Sequence, residues 1–234
     1  MHAHAIETPV ESVAAPARSS GMDVFHRYAG NPIVTAADVP RANSIHNSAI
    51  IRHGAGYIGI FRVDEIDMSY TLHVGRSADG IHWDIEPERI RMESDEPGVA
   101  MSDHSYDPRL VEMDGRFYVT WCNSGAQGPC IGLAWTQDFK VFHQMENPLP
   151  PPNRNGVLFP RKINGQYVIL HRPSDRGHTP FGDIFTAISP DLKHWGSHRF
   201  VFGPTGGWQS TKVGAGPIPI ETREGWLLIY HGVW

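Results

Sequence analysis

One hairpin pattern occurs four times along the chain, and a repeat of that kind constrains the fold more than any single motif. Its copies cover residues 49–62, 109–121, 158–172 and 216–231. Each reads as a strand, a Gly-containing turn and a second strand led by an aromatic residue. The leading aromatics Tyr57, Phe117, Tyr167 and Trp226 stand 60, 50 and 59 residues apart. Asp114-Gly115 and Asn164-Gly165 are dipeptides that a two-residue hairpin turn selects, because both central residues must reach positive φ. After each of the first three hairpins comes a second pattern, Ser77-Ala78-Asp79, Thr136-Gln137-Asp138 and Ser189-Pro190-Asp191, followed by the aromatics Trp83, Phe142 and Trp195. A hydroxyl with an Asp two residues on makes a turn that caps itself through side-chain hydrogen bonds and then buries a ring.

Periods of this length, with about four strands in each, mark a β-propeller. Helix-period patterns are scarce, while Gly (24) and Pro (19) punctuate short aromatic and β-branched runs, so the expected class is all-β. A propeller needs closure to hide its strand edges. With five blades in the ring, this chain would carry about three and a half of them, and roughly 100 further residues are expected at the observed period. Residues 1–21, rich in Ala, Ser and Pro, read as a flexible arm, and residues 22–234 as the incomplete propeller domain.

Charge narrows the partners. A net charge of −5 with acids and bases interspersed offers no basic stripe for nucleic acid and no polybasic segment for a membrane surface. No apolar run approaches the length of a membrane helix, and the arm lacks the apolar core of a signal peptide, so a cytoplasmic location is expected. Cys122 and Cys130 flank a Gly-rich turn and read as free thiols. No metal site is expected, since no His/Asp/Glu cluster has ligand spacing.

In a propeller the inner strands line the central channel, so polar residues at equivalent ends of the hairpins meet in space. The first repeat supplies Asn47, Ser48, Arg62 and Asp64, and the second Tyr106, Asp107 and Arg109. The third supplies Arg154, Asn155, Arg172 and Asp175. In the fourth, Lys212 precedes the first strand and His231 ends the second. Asp107 stands directly before Pro108, which predicts a stiff extended or turn conformation and an aimed carboxyl able to act as a general acid. Arg154, Arg172, Lys212 and His231 together would make an anion site, and two forked guanidiniums with an ammonium suit phosphate. No P-loop or GxGxxG stretch is present, which favours inorganic phosphate over a nucleotide. In an inverting glycosidase a second carboxylate activates water; phosphate in place of water is already nucleophilic, and the reaction becomes phosphorolysis.

Tyr106-Asp107-Pro108-Arg109, the run from Asn153 to Gly165, Arg172-Pro173-Ser174-Asp175 with the run from Gly177 to Ile184, and the segments from Lys212 to Pro219 and Gly225 to Val233 together resemble glycoside hydrolase family 130. The likeness runs from about residue 24 to the end and is greatest to the subgroup acting on 4-O-β-D-mannosyl-D-glucose. It implies a five-bladed propeller that converts β-1,4-mannosyl-glucose and phosphate into α-mannose 1-phosphate and glucose, a glycosyltransferase-type activity of class EC 2.4.1. It also implies that Asp107 is the general acid, working through the mannose 3-hydroxyl. Arg154, Arg172, Lys212 and His231 would hold phosphate, with Asn47, Ser48, Arg62 and Asp64 around the bound sugar and phosphate. Tyr106, Arg109, Asn155 and Asp175 are expected to contact substrate. Phosphate is then a co-substrate and no organic cofactor is called for. Three alternatives stay open: another acceptor (N-acetylglucosamine or a second mannose), a β-mannoside hydrolase, and a sugar-binding propeller without catalysis. Assembly into homo-oligomers is likewise open.

Overall fold

The structure, a computed structural model, describes residues 26–94, 96–174 and 182–234. The arm at residues 1–21 and Asp175 lie outside the described residues. The chain divides between Asn31 and Pro32, and all that follows concerns Pro32–Trp234.

The described residues are all-β apart from two single-turn 3-10 helices. Strands β1 (Ala42–His53), β2 (Gly56–Glu65), β3 (Tyr70–Ser77) and β4 (Asp84–Ile85) form one antiparallel meander in that order. The second sheet contains β5 (Met92–Glu93), β6 (Ser105–Met113), β7 (Arg116–Gly125), β8 (Gly128–Thr136) and β9 (Phe142–Met145), with β5 added in parallel along β9. A third meander consists of β10 (Asn153–Leu158), β11 (Tyr167–Pro173), β12 (Ile184–Ser189) and β13 (Gly196–Phe202). The chain then gives β14 (Lys212–Ala215), β15 (Ile220–Thr222), β16 (Gly225–Leu227) and β17 (Tyr230–Val233). The first strands of successive sheets pack on one another, β1 on β6, β6 on β10 and β10 on β14, an arrangement like a propeller's inner wall.

The sequence signals act where they stand. Asp114-Gly115 and Asn164-Gly165 take φ of 53, 74, 51 and 78° and close the tight β6–β7 and β10–β11 hairpins. In the second pattern, Ser77, Thr136 and Ser189 accept backbone N–H groups at 2.8, 3.0 and 2.8 Å. The following Asp79, Asp138 and Asp191 each accept two more, and the next aromatic turns inward. Alternation along the strands then sorts side chains between sheets. Ile58, Ile60 and Leu72 meet Leu110, Val119 and Trp121 in one core, Val111, Tyr118 and Ile131 meet Leu158 and Ile169 in the next, and Val168 and Leu170 meet Val213 and Ala215 in a third. The Trp121 ring fits only because residue 132 is glycine, where an added Cβ would lie 2.3 Å from it.

Three expectations need correction. The first strands begin several residues earlier than the hairpin pattern indicates, so Asn47, Asp107, Arg154 and Asn155 lie inside strands rather than before them. Asp107 is neither extended nor in a turn; it sits in β6 with φ of 53°. The fourth repeat is two separate ladders, β14 with β17 and β15 with β16, because Pro217 and Pro219 lack the N–H that a continuous strand donates. Lys212 therefore opens a strand. Cys122 and Cys130 are both free and buried. Cys122 pairs with Ile131 and Cys130 with Asn123, which sends the two thiols to opposite faces of the sheet.

His171, 3% exposed, is hydrogen-bonded at Nδ1 to Asn153 Oδ1 (3.0 Å) and approached at Nε2 by His198 (3.3 Å). Burial first, and His198 second, push its pKa down to about 4. The folded value lies below the unfolded one, so this histidine's contribution to stability is whole above about pH 6.5 and is lost as pH falls toward 4, on the order of 3 kcal/mol at most. The melting temperature is expected to drop over that window, and His171→Asn should flatten the drop in a calorimetric pH series. An unchanged slope would assign acid lability to other groups.

Candidate active site

Three of the first strands carry the same irregularity. β1, β6 and β10 each slip register, between His46 and Ala49, Tyr106 and Arg109, and Arg154 and Val157. At each slip one residue has a left-handed backbone: Asn47 (φ 51°), Asp107 (53°) and Asn155 (52°). Asn and Asp tolerate that region better than other non-glycine residues. A bulge re-aims the extra side chain and needs no ladder N–H, which is why Pro108 is accommodated beside Asp107.

The partner strands supply the second half of the site. Arg62, Cys122, Arg172 and His231 pair with His46, Tyr106, Arg154 and Gly214 respectively. Each stands five residues after its repeat's leading aromatic and shares its strand parity with the residues that face the next sheet, so Arg62 is carried to Asp107 and Arg172 to His231. Gly214 is required by this crowding, since a Cβ there would lie 2.6 Å from both Arg172 Nη1 and His231 Nε2.

Asn47 Nδ2 and Arg62 Nη1 donate to Asp107 Oδ1 at 2.9 and 2.7 Å. Among the described residues both hydrogen bonds to this carboxyl fall on Oδ1, so in its acid form the proton belongs on Oδ2. Arg62 also holds Asp64 with two bonds, 2.7 and 3.0 Å, and its guanidinium packs against the edge-to-face pair Tyr70 and Tyr106, 5.0 and 5.1 Å from their centroids. A cleft of about 400 Å³ is lined by Asn47, Ser48, Asp107, Arg109, Gly216 and His231, among others.

Arg154 and Arg172 are direct partners across the β10–β11 ladder. Arg172 Nη1 donates to Val213 O and lies against His231 Nε2, both at 3.4 Å. Arg154 Nε, Asn155 Oδ1 and Arg172 Nε are buried without partners among the described residues. Burial, then Arg154, lower the Arg172 pKa to about 10. Burial, with Arg172 and Arg154, also lowers that of Lys212. His231 is lowered by desolvation and by Arg172 and Arg109. Like charges opposed across a ladder are unfavourable, and unpartnered guanidinium donors are costly; an anion held among them relieves both.

Two residues take places that sequence reasoning did not give them. Arg109 spends its donors on the carbonyls of Asp107 (3.2 Å), Pro108 (2.8 Å), Ala215 (3.3 Å) and Gly216, tying the second hairpin to the fourth. Cys122, read from sequence only as a free thiol, stands at this site; its thiol, hydrogen-bonded to Tyr106, is pushed up to about 11 by burial and so stays protonated. Its place five residues after Phe117 was a legible signal. Among the described residues no group of three or more His, Cys, Asp and Glu could hold a metal, and no helix is long and apolar enough to cross a membrane.

A carboxyl carried on a bulge near a group of cations, on consecutive sheets whose first strands pack together, marks a protein of propeller-like fold. The match of residues 16–234 to the family model described as β-1,4-mannooligosaccharide phosphorylase makes the chain a member of glycoside hydrolase family 130. It is 54% identical over 217 residues to β-1,4-mannooligosaccharide phosphorylase of Ruminococcus albus, covering 90% of this chain and 65% of that one. It is 27% identical over 216 residues to 4-O-β-D-mannosyl-D-glucose phosphorylase of Bacteroides fragilis, covering 82% and 53%. The chain thus spans less than two thirds of the length of these curated relatives. Among solved structures, β-1,2-mannobiose phosphorylase of Listeria innocua superposes with a TM-score of 0.76 at 25% identity, over 89% of this chain and 75% of that one. A thermostable family-43 glycoside hydrolase, TM-score 0.63 at 14% identity, shares the fold alone.

Arg109→Met should lower the melting temperature by several degrees, since it strands four carbonyls, each on the order of 1 kcal/mol. An unchanged melting temperature with weakened sugar binding would return Arg109 to the ligand contacts.

Proposed function

We propose that this protein is an inverting phosphorylase of β-1,4-mannosides. The observation that carries the reading is the pairing of Asp107, with Oδ1 saturated and Oδ2 free to bear a proton, with the cationic set Arg154, Arg172, Lys212 and His231 in one convergence of strands. Phosphate held by those cations attacks the anomeric carbon of the terminal mannose. The C1–O4 bond breaks, its electron pair stays on O4, and the Asp107 proton is delivered there, directly or through a sugar hydroxyl. The products are α-mannose 1-phosphate and the shortened acceptor. Opposed acid and anion flank an oxocarbenium-like transition state, so positioning and electrostatics supply most of the acceleration. Under this reading Asn47, Ser48, Tyr106 and Asn155 line the sugar, phosphate is the co-substrate with no organic cofactor, and the sheets are blades of a five-bladed ring in a cytoplasmic enzyme.

The acceptor we favour is a β-1,4-linked mannose or mannooligosaccharide, on the strength of the 54% identity to an enzyme of that name. Glucose, the acceptor expected from sequence, has the support of the 27% relative. Hydrolysis fits less well, because the neighbouring carboxylate Asp64 is engaged on both oxygens by Arg62 and is not available to activate water.

The protein is to be incubated with β-1,4-mannobiose or mannosyl-glucose, with and without phosphate, and the sugars followed by NMR. Expected is α-mannose 1-phosphate only when phosphate is present, with Arg172→Met raising the phosphate KM more than tenfold. Release of free mannose without phosphate would move the protein to the hydrolases.

A further inference from the structure

The acid and its nearest cation present an electrostatic conflict. A guanidinium against a carboxylate favours the ionised form and lowers its pKa, yet a general acid has to hold a proton at working pH. Arg62 Nη1 lies 2.7 Å from Asp107 Oδ1, with the arginine side chain 12% and the aspartate side chain 21% exposed. Tyr70 and Tyr106, in edge contact with each other, both pack against the guanidinium, and with both side chains mostly buried solvent screens this pair poorly.

Asp64 answers the conflict. Both of its oxygens are committed to Arg62, Oδ1 to Nε and Oδ2 to Nη2, in the bidentate geometry that localises the guanidinium's charge on one partner. One guanidinium and two carboxylates carry a net charge of −1, and a single proton on Asp107 Oδ2 brings the group to neutrality. We propose that Asp64 is a positioning residue that cancels the charge of Arg62 and thereby keeps Asp107 able to hold the proton it delivers. The inference rests on the reading of Asp107 as general acid.

The other groups facing this cluster come from every element around it. β1 contributes His46, with Nε2 3.8 Å from Asp64 Oδ2. β3 and β6 contribute Tyr70, Tyr106 and Arg109. β7, β10, β11, β14 and β17 contribute Cys122, Arg154, Arg172, Lys212 and His231. Tyr106 and Cys122 are neutral, raised by burial. The charge of Arg109 is spread over backbone carbonyls. Bound phosphate answers the remaining cations, which leaves Arg62 as the cation that needs a counter-charge from within the protein.

The test is the pH dependence of kcat/KM with β-1,4-mannobiose and inorganic phosphate, measured for the unaltered protein, Asp64→Asn, Asp64→Glu, Arg62→Gln and Asp107→Asn. Loss of the Asp64 charge leaves Arg62 uncompensated and depresses the proton affinity of Asp107. The alkaline limb of the Asp64→Asn profile should therefore move down by a pH unit or more, with about tenfold lower activity above the limb. Asp64→Glu should restore the limb, and Arg62→Gln should move it the opposite way. A lowered plateau with the limb in place, or shifts of the same sign in Asp64→Asn and Arg62→Gln, would overturn the inference by reducing Asp64 to a structural or sugar contact. Undiminished activity in Asp107→Asn would instead overturn the acid assignment on which the inference stands.

Discussion

The site depends on a backbone constraint, the bulge that recurs in β1, β6 and β10. A regular strand would alternate Asn47, Asp107 and Asn155 into the cores between sheets, where an unpaired amide or carboxyl is costly. One extra residue with left-handed backbone breaks that alternation and directs these groups where the first strands converge. The ladders on either side stay in register, so the aim is held by hydrogen-bonded strands rather than by a loop.

Around that convergence the charges are divided by sheet. Both carboxylates, Asp64 and Asp107, come from the first two sheets and share Arg62. The cations Arg154, Arg172, Lys212 and His231 come from the third sheet and the fourth repeat, and answer one another only weakly, through Val213 O and the Arg172–His231 contact. The depressed Arg172 and Lys212 show a cradle whose own protein environment disfavours its charge. Under the proposed function, an anion would stabilise the cationic side of this cluster, opposite the carboxyl that delivers the proton.

Much of this was legible before any coordinates. Asp-Gly and Asn-Gly at the hairpin tips, and the hydroxyl-x-Asp turns, act through bonds within a few residues, so their sequence signature is their structural cause. Strand beginnings were not legible, because Asn47, Asp107 and Arg154 look like loop residues until the ladder that encloses them is known. Asp107-Pro108 was read as a stiff extended or turn dipeptide on local grounds, and the bulge overrode that preference. The carbonyl partners of Arg109, Ala215 and Gly216, were not legible either, because they are distant in sequence and belong to another repeat.

What the chain determined by itself is the repeat, the all-β class and the residue types brought to its centre, since turn chemistry, alternation and period are local properties of the sequence. Which of those residues meet, and in what roles, was decided by tertiary structure. Asp64 is held on both oxygens by Arg62, Cys122 is hydrogen-bonded to Tyr106, and Gly214 makes room for Arg172 and His231. The physical reason is that each of these pairings crosses between strands or sheets, where register and packing, and not neighbours along the chain, set the distance between charges.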